Sequence, residues 1–138
     1  MAIDITKIKF ISCDIFKRGI YSFIGSLDQL KDWVNNKTKK EWSDEFIRMI
    51  NGLEAGKIGV ASYNYDNDGT GVILLPKYPE TPKEYAYVTH EVIHATFILL
   101  DYCGVEYVRH TTNETFTYVA EHITRNVLDM DGYCDILK

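Results

Sequence analysis

The chain has 138 residues, 46% of them hydrophobic and 25% charged, and a formal net charge of −5. That length and mix suit one folded domain over residues 1–138 with a sizeable core. The acidic balance argues against a phosphate-tracking nucleic-acid binder, because the basic clusters, Lys37-Thr38-Lys39-Lys40 and Lys7 with Lys9, are short and read as solvated surface.

No apolar run approaches the ~20 residues that a membrane helix needs. Met1-Ala2-Ile3-Asp4 has no basic-then-apolar leader. Cys13, Cys103 and Cys134 are odd in number and lack the spacing of a zinc knuckle or redox pair, which fits a reducing compartment. The expectation is a cytoplasmic protein with neither a membrane nor a nucleic-acid partner. The frequent aromatics, 10 Tyr, 6 Phe and 2 Trp, are expected in the core or at its edge.

Residues 5–16 read as a strand carrying Ile8, Phe10, Cys13 and Ile15. Lys17-Arg18-Gly19 reads as a turn and residues 20–24 as a second strand. Ser26-Leu27-Asp28-Gln29 is a capping box that opens a helix with Leu27, Leu30 and Val34 on one face. Thr38-Lys39-Lys40-Glu41 is another, opening a helix with the stripe Trp42, Phe46, Met49, Ile50 and Leu53. Residues 57–65 and 70–78 predict a hairpin around Asp66-Asn67-Asp68-Gly69. Asn64, Asp66, Asp68 and Gly69 fall at calcium-loop spacing, but the position for the closing Glu is Leu75, so a plain turn is the better reading.

Thr81-Pro82-Lys83-Glu84 is the clearest start signal, with cap, first-turn proline and returning glutamate. It opens a helix over 82–103, with Gly104 past its end. Tyr87, His90, His94, Phe97 and Asp101 share one face; Val88, Val92, Ala95 and Leu99 share another. A last helix begins near 111–113 and runs to about 129. The order β-β-α-α-β-β-α-α describes an α+β domain, an antiparallel or mixed sheet packed on long helices.

The penultimate helix carries His90-Glu91-Val92-Ile93-His94. Imidazoles four residues apart stack on one helical face, about 6 Å apart. From there both can hold one zinc ion at about 2.0–2.1 Å, and the neighbouring glutamate can act on a metal-bound water. The bland alternative is a pair of surface histidines. A third ligand is required. Phe97 and Leu100 occupy the positions where a metzincin carries its next Gly and His, and neither side chain can ligate. Asp101 lies about 10 Å along the axis from His94 and cannot close the same shell.

Nineteen residues separate His94 from Glu114 in the first turn of the last helix. An antiparallel pair joined by the 104–111 loop can bring that turn back to the metal face. Glu114 is the first choice, although Thr111-Thr112-Asn113-Glu114 is itself a capping box. Glu121, two turns on and able to pair with Arg125, is the second. Tyr107, His110 and Tyr118 are candidate oxyanion stabilisers. His122 reads as surface and Cys103 as core.

His90-Glu91-x-x-His94 followed by Asn113-Glu114 resembles the gluzincin metallopeptidases, the thermolysin- and aminopeptidase-like clan, over about residues 76–125. The small size and the hairpin before the helix resemble small phage-encoded metallopeptidase-like proteins and the minimal metallopeptidases that regulate mobile-element repressors. The resemblance implies a zincin-like domain, Zn2+, and His90, His94 and Glu114 as its ligands. It further implies Glu91 as general base, a protein or peptide substrate, and residues 72–75 as an edge strand that pairs with that substrate. Tyr118 stands where thermolysin-like enzymes carry an outer-shell acid. That departure keeps a rival reading open: a metallopeptidase-like binding module with a structural or vestigial zinc. Hydrolysis of a non-peptide amide is a third.

Overall fold

The computed structural model describes residues 6–36, 61–64 and 71–136. The helix expected from Thr38 to Leu53 and the turn around Asp66, with its calcium spacing, lie outside the described residues.

Strand β1 (Thr6–Cys13) ends in a 3-10 turn (Asp14–Phe16), and β2 (Arg18–Ile24) returns antiparallel to it. The turn is tighter than expected. Lys17 alone takes the left-handed conformation, at φ 59°, so Arg18 and Gly19 already belong to the strand. Gly19 is required there: a Cβ would collide with the Phe10 ring and the Ile11 carbonyl across the pair.

Helix α1 (Leu27–Asn36) opens on the expected box, in which Gln29 N–H donates to Ser26 Oγ at 3.0 Å and Ser26 N–H to Gln29 Oε1 at 2.8 Å. Strands β3 (Ala61–Asn64) and β4 (Gly71–Leu75) form the expected antiparallel pair. Helices α2 (Pro82–Tyr102) and α3 (Asn113–Leu128) follow. A three-residue strand, β5 (Cys134–Ile136), pairs with β1 and has no sequence signal beyond a turn at Asp131-Gly132.

The fold is α+β with a mixed sheet in the order β3-β4-β2-β1-β5. β4 runs parallel to β2 and antiparallel to β3. Residues 72–75 are therefore internal, not an edge, and every residue of β4 is buried. This corrects the expectation for that strand; among the described residues the edges are β3, beside β4, and β5. The period of two explains how the sheet is covered. Ile11, Ile20, Ile24, Ile73 and Leu75 pack with α2 and α3, while Phe23 and Tyr21 meet Trp33 of α1 on the other face.

The end of α3 is fixed by side chains. Of its last four carbonyls, the first keeps a backbone i→i+4 bond and the other three find side-chain donors. Asp129 N–H reaches Arg125, Lys9 Nζ reaches Asn126 at 2.8 Å, Tyr133 reaches Val127 at 2.8 Å, and Tyr78 reaches Leu128 at 2.6 Å. Lys9 also donates to the carbonyls of Asp129 and Asp131 and lies over the Tyr133 ring. Lys9 is buried, at 9% exposure, so the expectation of a solvated lysine there is wrong.

Candidate metal centre

The local sequence aims the two histidines. Thr81 caps α2 with both bonds of the box present, and Pro82 sits at its start. A reciprocal closure ends it: Gly104 N–H reaches Asp101 at 3.0 Å and Val105 N–H reaches Leu100 at 2.8 Å, with Gly104 at φ +79°. Between these ends, Val88, Val92, Ala95 and Leu99 are buried and fix the rotation of the helix. His90 and His94 each lie two residues from Val92, about 200° around the axis, and so stand opposite the core. Both are exposed.

Their rings converge. Nε2 of His94 lies 3.1 Å from Nε2 of His90, and the ring planes are nearly perpendicular at 77°. Without an ion, this is a hydrogen bond in which one imidazole nitrogen donates to the other. It also fits a metal: two nitrogens about 2.0–2.1 Å from one tetrahedral ion stand about 3.3–3.4 Å apart. A few tenths of an ångström in nitrogen separation distinguish the two arrangements.

Glu91 is the third member of the group. Its side chain is 12% exposed, and Oε2 stands 3.7 Å from His90 Nε2, beyond direct hydrogen-bond reach. Burial holds its carboxyl above the usual range, opposed by the pull of His90 and His94. That is the direction expected of a carboxylate used as a proton acceptor near neutral pH.

Glu114 lies exposed in the first turn of α3, as the spacing predicts. The capping box expected around it does not form. The Thr112 hydroxyl instead donates to the Glu106 carbonyl at 2.5 Å and accepts from Val108 N–H at 2.7 Å, which closes the loop on itself. Glu121 is exposed, 4.0 Å from Arg125. Among the described residues no three His, Cys, Asp or Glu side chains gather as a metal-holding group. The arrangement as it stands is two imidazoles with a carboxylate beside them.

The three oxyanion candidates separate. Tyr107 meets Phe97 in a tilted contact at 6.1 Å and Phe116 edge-on at 5.1 Å. His110 is exposed in the loop, at φ 69°. Tyr118 lines a different groove of about 320 Å³ with Ser12, Ile15, Phe16 and His122. His122 is not merely surface, since its Nε2 bonds the Ser12 carbonyl at 2.8 Å and ties α3 to the end of β1. Cys103 is partly buried, as expected of a core residue, and burial raises its thiol.

The sequence reading also missed an exposed apolar face. Tyr87, Ile93, Phe97 and Tyr107 are each between 46% and 50% exposed, on or beside the histidine side of α2. The signal was present in the spacing, since Tyr87 and Phe97 share the helical face of the histidines. Their abundance alone had pointed to the core.

Comparison with protein-family models, curated proteins and solved structures found no match.

Proposed function

We propose that the protein is a zinc-dependent metallopeptidase with a zincin-like fold, its centre built on α2. The observation that carries this reading is the approach of His90 and His94 to 3.1 Å with the partly buried Glu91 carboxylate beside them. The two Nε2 atoms stand nearly as far apart as two ligands of one tetrahedral ion, with a carboxylate beside them.

His90 and His94 would hold the ion through Nε2, and a carboxylate of α3 would supply the third ligand, for which the gluzincin resemblance implies Glu114. When bound, zinc lowers the pKa of a water towards 7 and polarises the substrate carbonyl. The chain's own contribution to the chemistry is Glu91. Its Oε2 takes a proton from the attacking water and returns it to the leaving amine nitrogen. The desolvation that raises its pKa brings its proton affinity closer to that task.

An extended substrate would pair with the sheet edge beside α2, which among the described residues is β3 rather than β4. The apolar side chains of Tyr87, Ile93 and Phe97 favour a peptide over a small polar amide. The test is Glu91→Gln in the zinc-loaded protein, assayed on an unfolded protein substrate. Zinc content is expected to stay unchanged while hydrolysis falls by at least about 100-fold. Undiminished hydrolysis removes Glu91 from the mechanism.

One observation favours the rival reading of a binding module: the exposed aromatics surround a pair of ligands rather than a preformed triad. In that case Glu91→Gln leaves the biological effect intact, and substitutions at Tyr87 or Phe97 abolish it.

A further inference from the structure

The outward stripe of α2 reads the same from either end. Lys83, Tyr87, His90, His94, Phe97 and Asp101 follow at spacings of four, three, four, three and four, and all six are exposed. At the turn of an α-helix they fall within an arc of about 80°, opposite the buried Val92. Val92 is also the midpoint of the stripe. Each residue on one side of it has a counterpart equally far on the other: histidine with histidine, Tyr87 with Phe97, cationic Lys83 with anionic Asp101.

A two-fold axis through that midpoint, across the helix, lays the stripe antiparallel on a copy of itself. Position 83 then meets position 101 of the copy, 87 meets 97, and 90 meets 94. Alternating spacings of three and four suit helices that cross at a shallow angle, about 20°. Tyr87 and Phe97 are each 46% exposed and have ring area to bury against one another. A parallel pairing would set Lys83 on Lys83 and Asp101 on Asp101, so the charges select the antiparallel one.

The histidines give the axis its chemistry. Their Nε2 atoms, 3.1 Å apart, make one edge of a tetrahedral shell, and among the described residues no third ligand gathers with them. His90 and His94 fall about 20° to either side of the stripe's midline, so the pair lies diagonally across it. The two-fold sets that diagonal across the copy's diagonal, as opposite edges of a tetrahedron cross. Two copies thus offer four imidazole nitrogens to one ion.

We propose that this face of α2 docks on a second copy of the chain, antiparallel about Val92, with one divalent cation shared between the two histidine pairs. This rests on the zinc reading above and adds its regulation. Four imidazoles fill a tetrahedral shell and leave no position for water, and the contact covers the apolar face beside it. Where zinc is scarce, two chains share an ion in this closed form. Where zinc is in excess, each chain takes its own and the centre is uncovered.

Sedimentation of the full chain at increasing Zn2+ tests this, with bound zinc measured in parallel and circular dichroism confirming that each variant is folded. The mass is expected to double near one zinc per two chains and to return to that of one chain in a large excess of zinc or of chelator. It stays single throughout in His90→Ala. Charge reversal reads the register: Lys83→Asp and Asp101→Lys should each weaken the dimer about 10-fold, and the double variant should restore it. Each reversal suits the helix end it occupies, so neither threatens the fold. A native chain that binds zinc yet keeps a single mass at every ratio overturns the dimer and leaves the centre standing. A chain that binds no zinc overturns the centre itself. A zinc-dependent dimer that both reversals leave unmoved overturns the antiparallel register, and a dimer that forms equally in His90→Ala overturns the shared ion.

Discussion

Two ionisable residues show how burial turns chemistry towards structure or function. Glu91 keeps its carboxylate 3.7 Å from His90 Nε2, whereas Cys13 is enclosed at 7% exposure. Burial, with Asp14 and Cys103 adding to it, pushes the Cys13 thiol up from 9.0 to about 11. The folded chain then holds a proton that the unfolded chain has lost. Stability from this group is complete below pH 9 and declines as pH rises towards 11, with a slope approaching about 1.4 kcal/mol per pH unit. Urea titrations at pH 8, 9.5 and 10.5 should show that decline, and Cys13→Ala should be flatter by the same amount. Equal slopes in the two proteins would contradict it. Tyr133, pushed up to about 12 mainly by burial, acts in the same direction but in a higher window, from pH 10 upward. The histidine pair and Glu91 were legible in the sequence because their chemistry follows from helical spacing alone. The burial of Cys13 was not, because it depends on helices a hundred residues away.

The elements were most legible where local hydrogen bonding decides them. Both described capping boxes, at Ser26 and Thr81, form as read, and Gly104 closes α2. The box at Thr111 does not form because the helix starts one residue later, with Thr112 at the cap position and its hydroxyl engaged within its own loop. β4 was misread as an edge because pairing between strands leaves no local mark, although its unbroken run Val72-Ile73-Leu74-Leu75 is what a strand covered on both faces requires. Lys9 is the clearest tertiary override. All three of its ammonium donors go to carbonyls at or just past the end of α3, holding β1 to that helix. Replacing it with methionine leaves those acceptors unsatisfied and should cost about 2–3 kcal/mol. Lys7→Met, which removes only the exposed ion pair with Asp135, should cost less than about 1 kcal/mol. Equal denaturation midpoints for the two variants would refute the clamp.

At the scale of the molecule, the sheet and the end of α3 act as a fixed frame for α2. Buried aliphatic residues hold one side of that helix, and His90, His94 and their aromatic neighbours occupy the other. Among the described residues no helix is long and apolar enough to cross a membrane. The α+β class followed from the order of periodic segments. The mixed pairing and β5 did not, since β5 is three residues long and is defined by its bonds to β1.

The central claim is that α2 carries a metal centre. Its most direct test is zinc content after equilibration of the full chain with Zn2+ and removal of excess, for the native protein, His90→Ala and His94→Ala. One zinc per chain is expected in the native protein and none in either variant, with unchanged circular dichroism. A native chain that retains no zinc, or variants that retain it fully, would contradict the account.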